Sequence, residues 1–245
     1  MAEFVALHNK LLVGQLDLTS IVNEVGYSGS RAMVPCTTFA DGGFMVATPG
    51  QISGEVMGKG YSSFAAGVLD DTINNSTLGT AYPVSVIPNP TGTVTAGDTA
   101  WLTRAIQTTY RPFGGAKGDA AMFELTLTTN TALVQGQVSH AAAARTSTGN
   151  GTALTLTGPS SSQSLYSAVH VTAYSGLDSV VLTVESDDNS GFTSATTRIT
   201  HTTFTAIGSE WKSVAGDFST ETYHRIVYTL TGTGSVTFTA TLGVI

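Results

Sequence analysis

The stretch Arg225-Ile-Val-Tyr-Thr-Leu-Thr231, then Gly232-Thr-Gly234, then Ser235-Val-Thr-Phe-Thr-Ala-Thr-Leu242, decides the fold class. Ile226, Tyr228 and Leu230 alternate with Val227, Thr229 and Thr231. Beyond the glycines, Val236, Phe238, Ala240 and Leu242 alternate with Thr237, Thr239 and Thr241. Successive side chains of a strand point to opposite faces, so a repeat of two with threonine on one side marks a half-buried strand. Two such runs about a glycine-rich break predict a hairpin. Upstream, residues 152–157, 165–174, 178–185 and 195–204 read as further strands. Gly158-Pro-Ser160, Ser175-Gly176 and Asp187-Asp-Asn-Ser-Gly191 separate them as turns. Short strands at even spacing predict a β-sandwich over residues 151–245.

Moving toward the N-terminus, residues 39–46, 52–57, 83–87, 100–110 and 121–128 are strand candidates. In the last, Phe123, Leu125 and Leu127 point one way and Glu124, Thr126 and Thr128 the other. One short helix is expected over residues 62–71, with Ser62 or Ser63 as its cap. Residues 72–80 and 88–98 read as loops, rich in Asn, Pro, Gly and Thr. Residues 139–151 combine four alanines with Ser, Thr, Gly and Asn and show no apolar period. They divide the chain into a first domain at 1–140, a linker at 141–150 and a second domain at 151–245.

Composition narrows the function. About one residue in six of the 245 is Thr, and only 11% are charged, against roughly 25% in an average soluble domain. The formal net charge is −7 with only 10 Lys and Arg, which excludes a nucleic-acid binder held by phosphate contacts. Up to and including Arg145 there are 7 basic and 10 acidic residues, and 3 and 7 after it, so both halves are mildly acidic. A single cysteine, Cys36, rules out an internal disulfide and reads as a small buried thiol. No apolar run is long enough to cross a bilayer, and residues 1–10 lack the pattern of a secretory leader.

A catalytic centre should leave paired titratable groups or a nucleophile motif. His8, His140, His170, His201 and His224 are scattered without metal-ligand spacing, and His170 reads as a surface or half-buried strand residue. Gly114-Gly-Ala-Lys-Gly-Asp119 lacks the spacing of a phosphate-cradling loop and reads as a hairpin loop. The Asp187–Gly191 cluster reads as a turn rather than a calcium loop. Tyr166, Tyr174, Trp211 and Tyr223 are candidates for a sugar-stacking platform, though aromatics of a sandwich usually serve core or sheet face. No catalytic, cofactor or metal residue is assigned, and an enzyme is not expected.

Several segments resemble one family. Asp17-Leu-Thr-Ser-Ile-Val-Asn-Glu-Val-Gly-Tyr-Ser28, Thr37-Thr-Phe-Ala-Asp41, Pro49-Gly-Gln-Ile-Ser-Gly-Glu55 and Gly58-Lys-Gly-Tyr61 are similar, in that order, to major tail tube proteins of long-tailed, siphovirus-type bacteriophages. Ala100-Trp-Leu-Thr-Arg-Ala-Ile-Gln-Thr-Thr-Tyr110 and Gly118-Asp-Ala-Ala-Met-Phe-Glu124 resemble paired strands of that family. Residues 177–191 and 225–239 resemble the sandwich appended to many such subunits. The resemblance implies an all-β chain with one short helix: a tail-tube β-sandwich or half-barrel followed by an Ig-like or jelly-roll β-sandwich. It implies a virion protein, made in the host cytoplasm, whose hexameric rings stack into a tail tube for genome delivery. Its partners would be further copies of itself, a tape measure protein and viral DNA in the lumen, and other tail proteins at the tube ends, with no membrane insertion by this chain. Glu55, Glu124, Thr126 and Thr128 become candidates for the lumen face. Residues 11–39 and 70–82 would make ring-to-ring contacts, and the second domain would project outward. The alternative reading is a particle-anchored module whose second sandwich recognises host glycans. A capsid decoration or tail-terminator role is a further option.

Overall fold

The computed structural model describes residues 8–38, 44–64, 69–73, 78–89 and 92–245. Its strands are β1 (Lys10–Val13), β2 (Leu16–Asp17), β3 (Val22–Pro35), β4 (Ala47–Tyr61), β5 (Ala81–Ile87), β6 (Thr99–Arg111), β7 (Met122–Thr129) and β8 (Val134–Arg145) in the first half. The second half adds β9 (Gly149–Asn150), β10 (Leu154–Thr155), β11 (Ser164–Asp187), β12 (Thr196–Thr200), β13 (Gly208–Ala215) and β14 (Tyr223–Val244). Among the described residues the only helix is one turn, α1 (Leu69–Thr72). The chain is all-β, as its threonine alternation predicts.

The 14 strands join a single antiparallel network running β12-β11-β14-β8-β6-β5-β1-β2, with β6 also leading through β7 and β4 to β3. Strand β6 is the branch point. Its first residues pair with β8, its middle with β5 and its last with β7. Between the two arms of this branch lies the first core. Leu11 and Val13 of β1, Val84 and Val86 of β5 and Ala105 of β6 pack with Val56 of β4 and Phe123, Leu125 and Leu127 of β7. The second core is built from β11 and β14, with Leu165, Val169, Leu182, Val184, Ile226, Phe238 and Leu242 at its centre.

The expected hairpin at Gly232-Thr-Gly234 does not form. The chain runs straight on as one strand of 22 residues, β14, and the expected turn at Ser175-Gly176 lies inside β11, which has 24. The two glycine sites face one another, Leu177 pairing with Gly232 between two register shifts. Gly176 has φ 73 and Gly232 φ 91, left-handed values that favour glycine. A Cβ on Gly234 would sit 2.0 Å from the Ser175 carbonyl oxygen. The glycines therefore bend two long paired strands together, as β-bulges do.

Four further expectations change. Residues 141–145 are not a spacer: they end β8, where Ala143, Ala144 and Arg145 pair with Phe238, Thr237 and Val236 of β14. Gly149 and Asn150 pair with Tyr228 and Val227. No apolar repeat marks this strand, because Ala142 and Ala144 are exposed and Ala141 and Ala143 only half-buried. The helix is shorter than residues 62–71. Residues 62–64 are not helical, Ser62 Oγ donates to the Pro112 carbonyl at 2.6 Å instead of capping, and residues 65–68 of that expectation lie outside the described residues. Cys36 is exposed rather than buried, because it lies on the β3–β4 hairpin beyond the core. Of the strand expected over 39–46, residues 44–46 are not in a strand and 39–43 lie outside the described residues.

Buried histidines join the two halves. His170 on β11 is fully buried, not at the surface or half-buried as its strand pattern suggests. A carbonyl only accepts, so His170 Nδ1–H donates to Gly14 O at 2.7 Å. Nε2 then accepts from Ser85 Oγ at 2.8 Å, and Thr241 Oγ1 completes the chain at 3.0 Å from Ser85 Oγ. Across the β8–β14 seam, His140 stacks on Phe238 with ring centres 4.0 Å apart, and its Nε2 accepts from Arg145 Nε at 2.9 Å. A neutral ring satisfies each network, and at His140 a second ring proton would face the Arg145 N–H, which cannot accept.

Burial lowers His140, His170 and His224 from 6.5 to about 4, with Arg145 adding to the effect at His140. With depressed values the fold keeps its full stability above the unfolded pKa and loses it as pH falls from 6.5 toward 4. The three rings together should cost roughly 3–4 kcal/mol between about pH 7 and about pH 5.5, before most carboxylates titrate. Urea denaturation at the two pH values measures this, and equal midpoints would contradict it.

Candidate functional site

The four candidate lumen residues come together on one face. In the β4–β7 pair Glu55 lies opposite Thr128, Met57 opposite Thr126 and Lys59 opposite Glu124. Residues directly opposite in an antiparallel pair share a face. Glu55, Glu124, Thr126 and Thr128 thus lie on one side of the sheet. Val56, Phe123, Leu125 and Leu127 fill the core behind them. The face extends through β3, where Glu24 and Ser28 lie opposite Lys59 and Glu55. It extends also through β6, where Arg111 lies opposite Glu124 and Thr108 Oγ1 sits 3.3 Å from Thr128 Oγ1.

The sequence reading missed the counter-charges. Lys59 Nζ lies 3.6 Å from Glu124 and 3.9 Å from Glu24, and Arg111 is 3.9 Å from Glu124. The face of four strands therefore carries Glu24, Glu55 and Glu124 against Lys59 and Arg111, and the exposed Arg104, two residues before Ile106 on β6, stands on the same side, so the charges balance. Glu124 is a paired carboxylate rather than an isolated negative charge. Only the strand register brings Lys59 to it from 65 positions away, and no local motif signals that.

Both edges of this sheet are open. Among the described residues, β3 pairs only with β4, and β6 beyond Gln107 pairs only with β7. The β3–β4 hairpin also extends past the core, exposing Met33, Val34, Phe44, Met45 and Ile52. The beginning of the segment expected to make ring-to-ring contacts behaves differently. Leu11, Leu12 and Val13 are core residues, fully or almost fully buried.

One arrangement imitates a hydrolase. Ser167 Oγ lies 2.9 Å from His201 Nε2, and His201 Nδ1 lies 2.9 Å from Glu210 Oε2. Burial would raise Glu210, but bonds from His201 and the Thr202 N–H hold it at about 2. The order matches a Ser-His-acid triad, yet Ser167 is fully buried in β11 between Lys212 of β13 and Leu242 of β14. Clefts of about 450 Å³ open beside Lys10 and Asn23 and beside Tyr27 and Trp101, and Ser167 lines neither. The triad satisfies buried polar groups and offers no substrate a path. Among the described residues no three of His, Cys, Asp and Glu stand close enough to hold a metal ion.

The aromatic platform is dispersed. Tyr166 and Trp211 meet with ring centres 5.4 Å apart. Tyr174 donates to the Phe204 carbonyl instead, and Tyr223 pairs with Thr155 and Asp187.

No protein-family model matches the chain, and no curated protein matches it by sequence. Among solved structures it is similar to a chain in the tail of an empty gene transfer agent particle with C6 symmetry, at 20% identity and a TM-score of 0.37, over 50% of this chain and 92% of that one. It is similar to a chain of the sheath–tube complex of the extracellular contractile injection system PVC, at 18% identity and TM-score 0.41, over 56% and 93%. The Dit protein of phage SPP1, described as a paradigm of hub adsorption apparatus, aligns over 97% and 99% of the two chains at 12% identity and TM-score 0.36.

The two sides of β7 should respond unequally to substitution. Phe123→Ala removes a ring from the core and should cost about 3–5 kcal/mol. Glu124→Gln removes exposed ion pairs worth about 0.2–1 kcal/mol each. Chemical denaturation of both variants checks this, and equal losses would contradict the assignment of faces.

Proposed function

We propose that this chain is a structural subunit of a phage-type tail, and specifically of its tube. Six copies close their sheets edge to edge into a ring, and the rings stack. The observation that carries this reading is the polar face of four strands, backed by the core and open at both edges. An open edge presents unpaired N–H and C=O groups, and closing the sheet on neighbouring copies removes them. The polar face then lines the lumen, with Glu55, Glu124, Thr126 and Thr128 toward passing DNA or a tape measure protein. A face whose cations are matched by as many carboxylates lets a polyanion slide without gripping it. The exposed apolar hairpin arm supplies ring-to-ring contacts, an apolar patch of the kind that marks protein interfaces.

In this reading residues 1–140 hold the tube-forming face, and residues 151–245 form a sandwich projecting outward. The particle tail is the site of action, with other tail proteins at the tube ends. The glycan-binding alternative loses its main support with the dispersal of Tyr166, Tyr174, Trp211 and Tyr223. Negative-stain electron microscopy of the purified full chain tests the proposal. Rings or tubes of uniform width are expected, and a protein that stays monomeric at high concentration would contradict it.

A further inference from the structure

The charges of the polar face form one continuous rung. Glu24 of β3 pairs in register with Lys59 of β4, Lys59 with Glu124 of β7, and Glu124 with Arg111 of β6. The signs run minus, plus, minus, plus across four adjacent strands. The two inner members are partly covered, Lys59 at 37% exposure and Glu124 at 36%, whereas the end members remain open, Glu24 at 62% and Arg111 at 67%. Those open ends stand on the two free edges of the sheet. Each has a partner on its inner side and room for one on its outer side.

We propose, building on the ring reading above, that this rung is the register key of the interface between copies: Glu24 on β3 of one copy pairs with Arg111 of the partner subunit. Two features of the sheet commit the partner to a second copy placed head to tail. First, an antiparallel sheet of four strands has its outer strands antiparallel to each other, so β6 of one copy meets β3 of the next in the pairing used inside the chain. Second, four alternating charges end in opposite signs. A head-to-tail contact joins minus to plus, while a two-fold contact of β3 on β3 sets Glu24 against Glu24. Neighbouring strands lie about 4.8 Å apart, within reach of a Glu–Arg pair. The pair does not supply the bulk of the affinity, since exposed ion pairs are weak. It sets register and rejects like-charge alignments.

Charge reversal on separate molecules tests this. Glu24→Arg alone sets positive charge against Arg111 at every seam, and Arg111→Glu alone sets negative charge against Glu24. Each variant, with folding confirmed by circular dichroism and thermal melting, should need about tenfold more protein to assemble, or fail to assemble. An equimolar mixture should recover assembly, because alternating copies restore opposite charges at both seams of every pair. The internal pairs to Lys59 and Glu124 stay broken in the mixture, so recovery reports only the contact between copies. If either folded variant alone assembles at the wild-type concentration, or the folded mixture does not, the register key is wrong. Should the variants assemble like a wild type that itself forms rings, the tube reading survives. If the wild type stays monomeric, both fall.

Discussion

The hydrogen-bonding demand of strand β14 holds the two halves of this protein together. A strand of 22 residues must find partners along both sides, and β14 finds them on both sides of the expected domain boundary. On one side β11 accompanies it almost throughout. On the other, β8 serves its C-terminal part, and β9 and β10 serve its N-terminal part. Because β8 also pairs with the start of β6, the backbone network of the second half continues into the first. His170 adds a side-chain lock at the same junction, reaching Gly14 and Ser85 from β11. An unpaired ring there would carry the desolvation penalty of a buried polar group, so the halves are held in one relation.

The same demand is left unmet at β3. That strand carries 14 residues and pairs on one side only among the described residues. Natural monomers usually blunt such edges with charge, proline or bulges. Here β3 carries a register shift near Arg31 and ends at Pro35, which interrupts its outer reach. A second shift lies between Val22 and Glu24, and from Glu24, which ends the charged rung, to Arg31 the register is regular. Strand β14 is paired along most of both sides, whereas β3 leaves one side unpaired among the described residues, which is what the proposed ring requires. Ser167, of the triad-like group with His201 and Glu210, is sealed within strands.

Much of the β character was legible, and the failures have physical causes. Alternation in residues 225–242 identified strand and buried face, since Ile226, Phe238 and Leu242 are core residues. The same stretch misled about topology because a glycine pair looks alike in a hairpin turn and in a bent strand. Only the facing Gly176 tells them apart. Alternation in residues 123–128 correctly separated Phe123, Leu125 and Leu127 from Glu124, Thr126 and Thr128. That Glu55 would join that face depended on register with β4, which no local pattern encodes. Strand β3 was invisible for another reason: Gly26, Ser28, Gly29 and Ser30 give it little apolar period, because much of it is exposed. His170 read as a surface or half-buried strand residue because its partners, Gly14 and Ser85, lie more than 80 positions away in sequence.

The account turns on whether the open edge of β3 is closed by another copy. Amide hydrogen exchange, followed residue by residue in dilute monomer and in the assembled protein, tests that most directly. The account predicts that amides of β3 around Glu24 exchange rapidly in the monomer and become protected on assembly. Amides of β11 and β14, already paired, should change little. If the β3 amides exchange equally fast in both states while another surface gains protection, the sheet does not close through that edge and the account is contradicted.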